Sequence, residues 1–249
     1  MSKKAFGIDI GGSGIKGAPV DLDKGSFTDD RLRIATPEES TPEAVCVVVA
    51  QIVDHFSVKK DVPLGITLPA VVTHGVVQSA ANIDKSWIGV DADALCRQRL
   101  GRPVHLVNDA DAAGVAERHY GAAKGKKGLV ILTTLGTGIG SALLIDGRLV
   151  PNTELGHLEL DGHDAETRAA ESVREREGID TEEWAERLQR YYSHVESLFS
   201  PDLFVVGGGV SKQADTFLPL LDLRTEIVPA KLRNKAGIIG SARLADEVN

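Results

Sequence analysis

Two copies of one strand–glycine turn–strand pattern constrain this chain more than any other feature of its sequence. In each copy, a run of β-branched and aliphatic residues enters a glycine-rich turn and returns as a second such run, which is typical of buried strands. The copies comprise Ala5–Ile10 and Ile15–Leu22 around Gly11-Gly12-Ser13-Gly14, and Val130–Leu135 and Ser141–Ile145 around Gly136-Thr137-Gly138-Ile139-Gly140. Two like units roughly 125 residues apart predict two similarly folded lobes that close on a ligand.

The glycine turns predict binding of phosphate groups. Glycine lets the backbone approach a ligand closely because no Cβ intervenes, and a tight turn points several N–H groups at one spot, which suits an anion. For either turn alone an ordinary hairpin is the alternative interpretation, but the repetition favours a function. The predicted phosphate-binding residues are Asp9, Gly11, Gly12, Ser13, Gly14, Lys16, Gly136, Thr137 and Gly138.

A carboxylate next to an asparagine follows another predicted strand. Val104–Val107 indicates a buried strand, and Asn108-Asp109 stands where that strand gives way to a helix predicted over Ala110–His119. Ligands of open α/β sheets bind outside the carboxyl ends of the strands, so Asp109 is well positioned for chemistry. The alternative is that Asp109 only caps the helix.

Other segments supply further elements and candidates. Glu154-Leu155-Gly156-His157 combines a carboxylate and an imidazole able to bind hydroxyl groups. The loop Ser79–Trp87 is irregular, and functional residues often lie on loops, so Asn82, Asp84 and Lys85 are candidates beside the alternative of a solvated loop. The bare glycines Gly207, Gly208 and Gly209 at a strand end suit an adenosine ring, with strand–helix packing as the alternative.

Helices are predicted over Thr41–Phe56, Asp91–Leu100, Asp164–Gly178, Thr181–Phe199 and Ala236–Glu247, and strands over Arg31–Thr36, Pro63–Leu68 and Leu203–Val206.

The composition excludes several classes of protein. A length of 249 residues accommodates two ordinary domains, and 42% hydrophobic with 26% charged residues is typical of a globular protein. A net charge of −8 argues against a nucleic-acid partner. Two cysteines, Cys46 and Cys96, do not indicate a metal knuckle or a disulfide framework. No signal peptide or membrane-spanning run is visible, so a cytoplasmic enzyme without a membrane partner is expected.

Five segments, taken in order, resemble the ROK family of sugar kinases and repressors over essentially the full chain. They are IDIGGSGIKG, VNDADAAG, LGTGIGSALL, ELGH and VVGGGVS. The resemblance implies an α/β protein of two ribonuclease-H-like lobes, as in the actin-like ATPase and hexokinase superfamily, around a central cleft. The expected lobes are residues 1–110, with the C-terminal helix 236–249 packing back on them, and residues 111–235.

The resemblance also implies roles for individual residues. Asp109 is the expected base that accepts the proton of a sugar hydroxyl, and Mg²⁺ would accompany the phosphoryl donor, with Asp9 helping to hold it through water. Sugar hydroxyls are expected to bind Asn108, Glu154, His157 and a third carboxylate. Glu166, before a short alanine-rich helix start, matches the family pattern better than its competitor Glu171.

One departure from the family concerns zinc. Many members carry a structural zinc on cysteines just after the histidine, whereas this chain has Leu158–His163 there and no cysteine. Because a zinc site needs about four N or S ligands, no zinc and no other resident metal site are expected. No helix-turn-helix precedes Phe6, so the repressor branch is disfavoured.

Within the family, the segments NIDKSW, HLELDGHDAET, SPDLFVVGGGVSK and LRNKAGIIG are most similar to members that phosphorylate glucose with polyphosphate. The resemblance therefore implies glucose as acceptor, polyphosphate and ATP as donors, and a homodimer. A polyanion needs a path of cations, for which the candidates are Lys16, Lys85, Lys124, Lys126 and Lys127, with Arg148 as a further possibility. For these cations, the alternative is that they are scattered solubilising residues. The alternatives are an ATP-dependent kinase of another hexose or an N-acetylhexosamine, and a non-catalytic sugar sensor.

Overall fold

The computed structural model describes residues 3–81 and 83–248, which form two compact units. The first unit extends to Ala116 and resumes at Lys235, and the second runs from Glu117 to Asn234. The chain therefore first passes between the units inside a helix, Asp109–Tyr120. Asn82, one of the loop candidates, lies outside the described residues.

The first unit is built on a six-stranded mixed sheet. Its strands are β1 (Lys4–Gly11), β2 (Gly14–Asp21), β3 (Ser26–Phe27), β4 (Leu32–Ile34), β5 (Leu64–Leu68) and β8 (His105–Asn108). The order is β3-β2-β1-β5-β8, with β4 also paired to β2. β1 and β2 are antiparallel, whereas β1, β5 and β8 run parallel, so the polar carboxyl ends of these three strands share one edge. A separate hairpin joins β6 (Val72–Thr73) to β7 (Val76–Val77).

Helices cover this sheet. They are α1 (Pro42–His55), α2 (Ala92–Leu100), α3 (Asp109–Tyr120) and α8 (Ala236–Glu247). α1 begins as the sequence predicts, because the Thr41 hydroxyl accepts a hydrogen bond from Ala44 N at 3.4 Å and proline occupies the first turn. α8 packs across β1 and β5. Cys46 on α1 and Cys96 on α2, distant in sequence, bring their buried Sγ atoms to 3.1 Å as free thiols.

The second unit repeats the arrangement with a five-stranded sheet. Its strands are β9 (Leu129–Leu135), β10 (Ile139–Ile145), β11 (Arg148–Val150), β14 (Leu203–Gly208) and β15 (Ile227–Pro229). The order β11-β10-β9-β14-β15 has the same pattern as the first sheet: an antiparallel hairpin followed by strands parallel to its first member. The predicted duplication is therefore confirmed at the level of topology, and the two units have the expected α/β fold.

The helices of the second unit include one correction. They are α4 (Glu166–Ala169), α5 (Glu171–Glu177), α6 (Thr181–Phe199) and α7 (Ala214–Phe217). The single helix predicted over Asp164–Gly178 is wrong, because Ala170 adopts an extended conformation (φ −63°, ψ 154°) and separates α4 from α5. α6 is confirmed and buries Trp184, Leu188, Tyr191 and Tyr192 against the core. No helix in the described part of the chain has the length and apolar character needed to cross a membrane.

Candidate active site

In the first unit, Asp9 is fixed at the carboxyl end of β1. In the pairing of β1 with β5, Asp9 lies opposite Thr67. Thr67 is fully buried, and its Oγ1 donates a hydrogen bond to Asp9 Oδ1 at 2.9 Å. Lys16, opposite Asp9 on β2, places Nζ 3.5 Å from Asp9 Oδ2. The carboxylate is thus held between a hydroxyl and an ammonium group. Its oxygens are hard donors of the kind Mg²⁺ takes, together with water, so Asp9 fits the expected metal.

The first glycine turn is tied down through its carbonyl oxygens. Thr36 Oγ1 donates to Gly11 O at 2.6 Å, and Arg33 Nη2 donates to Ser13 O at 2.7 Å. A Cβ on Gly14 would lie 2.6 Å from the Arg33 guanidinium, whereas one on Gly12 would meet nothing within 4 Å. The turn is therefore held from one side and open at Gly12, as an anion cradle requires.

Asn108 and Asp109 have different structural roles. Asn108 ends β8 in a buried position, and its Oδ1 accepts hydrogen bonds from Ala110 N at 2.8 Å and Asp111 N at 3.2 Å, while Nδ2 donates to Ala70 O at 3.2 Å. Asn108 therefore caps α3. Asp109 is the first residue of that helix and is half-buried. Asp109 Oδ1 accepts from the same Ala110 N at 2.8 Å, so its carboxylate also bonds the first turn of the helix.

In the second unit, the second glycine turn is held by α5 and contacts Glu166. Ser172 donates from its backbone N to Gly136 O at 3.0 Å and from Oγ to Thr137 O at 2.6 Å. Ile139 N, just after the turn, donates to Glu166 Oε2 at 2.9 Å. A Cβ on Gly138 would collide with the same carboxylate. Any side chain at position 138 would therefore displace the Glu166 carboxylate, which occupies that space.

Glu154, His157 and Glu166 form a polar cluster in the second unit. Ser141 Oγ donates to Thr153 O at 2.7 Å and accepts from Leu155 N at 2.9 Å, which fixes the backbone on both sides of Glu154. His157 follows in a 3-10 turn, and its Nδ1 lies 4.0 Å from Glu166 Oε1. The sequence places Glu154 and His157 together, whereas the chain fold brings Glu166 to them.

The electrostatics of the cluster follow from partial burial. Burial raises the pKa of the Glu154 carboxyl above its ordinary value, and the nearby Glu166 raises it further while His157 opposes the shift. The pKa of His157 is raised, chiefly by a hydrogen bond with Asp164 and then by the charges of Glu166, Asp164 and Glu154, against the opposing effect of burial. Both groups therefore hold their protons to higher pH than usual.

A short hairpin follows His157, in the segment where the sequence predicts no zinc. β12 (Glu159–Leu160) pairs with β13 (His163–Asp164) across a turn in which Asp161 and Gly162 have φ of 56° and 77°. Arg190 Nη2 on α6 donates to Asp161 Oδ1 at 2.7 Å, and this anchors the turn. Potential metal-ligand atoms of His157, Asp164 and Glu166 lie within 4.8 Å of one another. This set has one nitrogen and no sulfur, which does not resemble a structural zinc site.

The third glycine segment ends β14. Gly208 has φ of 82°, and a Cβ there would collide with Leu135 O of the neighbouring strand, so strand packing alone accounts for this glycine. Gly207 is buried, whereas Gly209 is exposed and begins a 3-10 turn. A Cβ on Gly209 would lie 3.4 Å from Glu171 Oε2. Glu171 thus lies beside this segment, while its competitor Glu166 lies beside His157.

Apart from Lys16, the candidate polyphosphate lysines are exposed, and they are divided between the two units. Lys85 belongs to a 3-10 turn of the first unit whose cap is the Asp84 side chain, which accepts from Ser86 N at 2.8 Å. Lys124, Lys126 and Lys127 belong to the second unit. Lys126 Nζ lies 3.0 Å from Glu226 Oε2, so its charge is partly neutralised.

Three residues of the site were not found from the sequence. Thr67 orients Asp9, Ser172 holds the second turn, and Asp164 bonds His157. Thr67 lies one residue before the end of the predicted strand Pro63–Leu68. Its position beside Asp9 could therefore be predicted once that strand is placed next to β1. Nothing local in sequence marks Ser172 or Asp164, since both contacts depend on how α4, α5 and the β12–β13 hairpin fold.

The chain has extensive similarity to known proteins. A profile of the ROK family matches residues 5–177. Polyphosphate glucokinase from Mycobacterium tuberculosis is 52% identical over 241 residues, which cover 96% of this chain and 90% of that protein. The crystal structure of inorganic polyphosphate/ATP-glucomannokinase from Arthrobacter sp. strain KM matches with a TM-score of 0.94 at 57% identity, covering 99% of both chains. A ROK family glucokinase from Streptomyces griseus, solved with glucose and AMPPNP, matches with a TM-score of 0.84 at 26% identity, covering 98% of this chain and 99% of that one.

Proposed function

We propose, because this chain belongs to the ROK family, that it transfers a phosphoryl group from inorganic polyphosphate, and also from ATP, to the 6-hydroxyl group of glucose. A single observation carries the proposal. In this protein, which is 52% identical to a polyphosphate glucokinase over 241 residues, the half-buried carboxylate of Asp109 lies at the carboxyl end of a parallel strand. That edge of the sheet is where ligands of open α/β folds bind.

Asp109 is the proposed general base. As the glucose O6 attacks the terminal phosphorus of the donor, its proton passes to the Asp109 carboxylate, and the bond between that phosphorus and the bridging oxygen breaks. The products are glucose 6-phosphate and a donor shorter by one phosphate. A base of this kind typically contributes about 10²–10⁴-fold to the rate.

Glucose is proposed to bind through Asn108, Glu154, His157 and Glu166. Carboxylates and an imidazole accept hydrogen bonds from sugar hydroxyls, and the contact of Glu166 with His157 at 4.0 Å supports its choice over Glu171. Burial of Glu154 strengthens such a hydrogen bond because water competes less.

The donor phosphates are proposed to bind the two glycine turns, Gly11–Gly14 and Gly136–Gly138, with an adenosine ring against Gly207–Gly209. Turn N–H groups stabilise the charge that develops on the transferred group. The family's kinase chemistry requires a divalent metal, for which Mg²⁺ is proposed. It would bind near Asp9, and it supplies neutralisation of the donor oxygens when bound. Thr67 and Lys16 keep the Asp9 carboxylate in one orientation.

Long polyphosphate is proposed to contact exposed lysines beyond the phosphate turns. Lys124 and Lys127 are the main candidates, since Lys126 is engaged by Glu226. Lys85 is a further candidate. From its membership of the family, we propose that the active enzyme is a homodimer in the cytoplasm.

The experiment that tests this function is a phosphorylation assay with purified protein. Glucose 6-phosphate formation is measured with polyphosphate, ATP or pyrophosphate as donor, and the acceptors mannose and N-acetylmannosamine replace glucose in parallel. The proposal predicts turnover of glucose with polyphosphate and with ATP. Turnover only of the N-acetylated sugar would identify a different hexose kinase. Glucose binding without turnover by any donor would identify a sugar sensor.

A further inference from the structure

The residue of interest is Asp164, which makes a hydrogen bond to His157 that the sequence does not reveal. His157 Nδ1 lies 2.8 Å from Asp164 Oδ2. A carboxylate can only accept here, so Nδ1 carries the proton of this bond. The ring is thereby oriented with its Nδ1 edge toward Asp164 and its Nε2 edge away from it. In catalytic and metal sites, such a partner sets the tautomer and orientation of a histidine.

Asp164 also supports the neighbouring carboxylate ligand. Its Oδ1 accepts from Glu166 N at 3.3 Å, and its backbone oxygen accepts from Thr167 Oγ1 at 2.6 Å. These bonds hold the first turn of α4, from which the Glu166 side chain reaches Ile139 N. Asp164 itself is fixed by pairing of β13 with β12. One aspartate therefore contacts both of the residues His157 and Glu166.

Stability does not account well for this arrangement. The side chains of His157 and Asp164 are 43% and 39% exposed, and ion pairs at that exposure contribute little to folding. A metal ion is a second explanation, since His157, Asp164 and Glu166 are close enough to share one. In the structure, however, Nδ1 is already satisfied by Asp164 at hydrogen-bond distance.

We propose that Asp164 is a positioning residue for the sugar site, which holds His157 with Nδ1 protonated and so presents Nε2 to a glucose hydroxyl group. The inference rests on the proposed function, since it assumes that His157 binds glucose. It adds a residue that touches no substrate and acts through His157, with a secondary contribution through the start of α4.

The test compares Asp164→Ala with Asp164→Asn and a matched control. Loss of the carboxylate should raise KM for glucose at least about fivefold, with kcat and both donor KM values changed less than about twofold. Asn keeps an oxygen that can accept from Nδ1–H, so D164N should recover part of the loss. Asp161→Asn is the control. Asp161 is an exposed carboxylate in the same hairpin, and it bonds Arg190 instead of His157, so this variant should leave the glucose KM unchanged.

A double-mutant cycle separates the inference from the proposed function. If Asp164 acts through His157, D164A should have a smaller effect on the glucose KM in a His157→Ala background than in the wild type. Effects of equal size in both backgrounds would overturn the inference. An unchanged glucose KM in H157A itself would instead overturn the assignment of His157 to the sugar site.

Two further measurements distinguish positioning of His157 by Asp164 from a purely structural role and from a role of Asp164 as a metal ligand. Nitrogen NMR of labelled histidine, with H157A to identify the signal among the seven histidines, should show Nδ1 protonated in the neutral wild-type ring and a shift toward Nε2–H in D164A. A wild-type spectrum with Nε2–H would contradict the inference. So would a stoichiometric metal in the purified protein that is lost in D164A, since Asp164 would then be a ligand.

Discussion

At the scale of the residue, two adjacent side chains at the end of β8, Asn108 and Asp109, both bond the first turn of α3. Asn108 uses its Oδ1 to cap α3, at 2.8 Å from Ala110 N. Asp109 stands in the first turn of the helix, and its Oδ1 accepts from the same Ala110 N at 2.8 Å. The Asp109 carboxylate is the proposed acceptor of the sugar proton.

We expect Asp109→Asn to lower kcat by at least about 10²-fold and to leave glucose binding within about threefold, because the amide keeps the shape but accepts no proton. Steady-state kinetics and calorimetric titration with glucose measure the two effects. Asp30→Asn, a change at an exposed aspartate of the same unit, serves as the control. A D109N enzyme with more than about a tenth of the wild-type kcat would remove Asp109 from the role of base.

The partly buried carboxylate of Glu154 should lower the free energy of unfolding at neutral pH. Burial raises its pKa in the folded state above the ordinary 4.5. The folded protein therefore binds this proton more tightly than the unfolded chain, so stability is greatest below that ordinary pKa and decreases as pH rises through the folded pKa.

We therefore expect Glu154→Gln to raise Tm by about 1–3 °C at pH 7, to have a smaller effect near pH 4, and to weaken glucose binding. Scanning calorimetry at both pH values measures the stability, and Glu186→Gln, at an exposed position on α6, is the control. A lower Tm for E154Q at pH 7 would show that the carboxylate is stabilising and that its buried charge is compensated.

At the scale of the element, the second glycine turn and α4 are mutually dependent. Gly138 provides the space that the Glu166 carboxylate occupies, and Ile139 N donates to that carboxylate. The turn that is proposed to bind the donor thus packs against a carboxylate that is proposed to bind the acceptor sugar.

We expect Gly138→Ala to raise KM for glucose as well as for the donor, each by about tenfold, since the methyl group displaces Glu166. Gly136→Ala is a close control, because a Cβ at Gly136 meets nothing within 4 Å. That variant should alter donor kinetics alone. Equal glucose KM values in G138A and the wild type would show that Glu166 can move without loss of sugar binding.

Elements with a strong local signal could be predicted from the sequence, and those set by distant contacts could not. Both glycine hairpins, α1, α6 and α8 show the periodicity of their class and are confirmed. The helix over Asp164–Gly178 is wrong because its residues favour helix throughout, while the break at Ala170 is imposed by tertiary packing of that fully buried residue. The His157–Asp164 bond arises from the β12–β13 hairpin, which carries little hydrophobic signal.

At the scale of the whole molecule, charge is the main question. A protein with a net charge of −8 has to bind a polyanion through a local concentration of cations. Each exposed lysine that contacts a phosphate releases a counterion, so binding through several of them weakens steeply with salt. ATP has few phosphates and should depend on salt less.

We expect the double change Lys124→Ala/Lys127→Ala to raise KM for long polyphosphate at least about threefold more than KM for ATP, and to reduce the salt dependence of the polyphosphate KM. Lys24→Ala is the control, because Lys24 is exposed but lies 3.9 Å from Asp21. Lys126→Ala should have the smaller effect within the cluster, since Glu226 already engages that ammonium group. Equal effects on both donors would exclude these lysines from a polyphosphate path.

The hydrogen bond from Ile139 N to Glu166 Oε2 couples the turn proposed to bind the donor to a carboxylate proposed to bind the sugar. If ordering of the turn by a phosphate chain improves the alignment of Glu166, the affinity for glucose rises by some factor. Reciprocity then requires glucose to increase the affinity for the phosphate chain by that same factor. A single backbone amide would in this way make each substrate an activator of the other's binding, with no separate regulatory site.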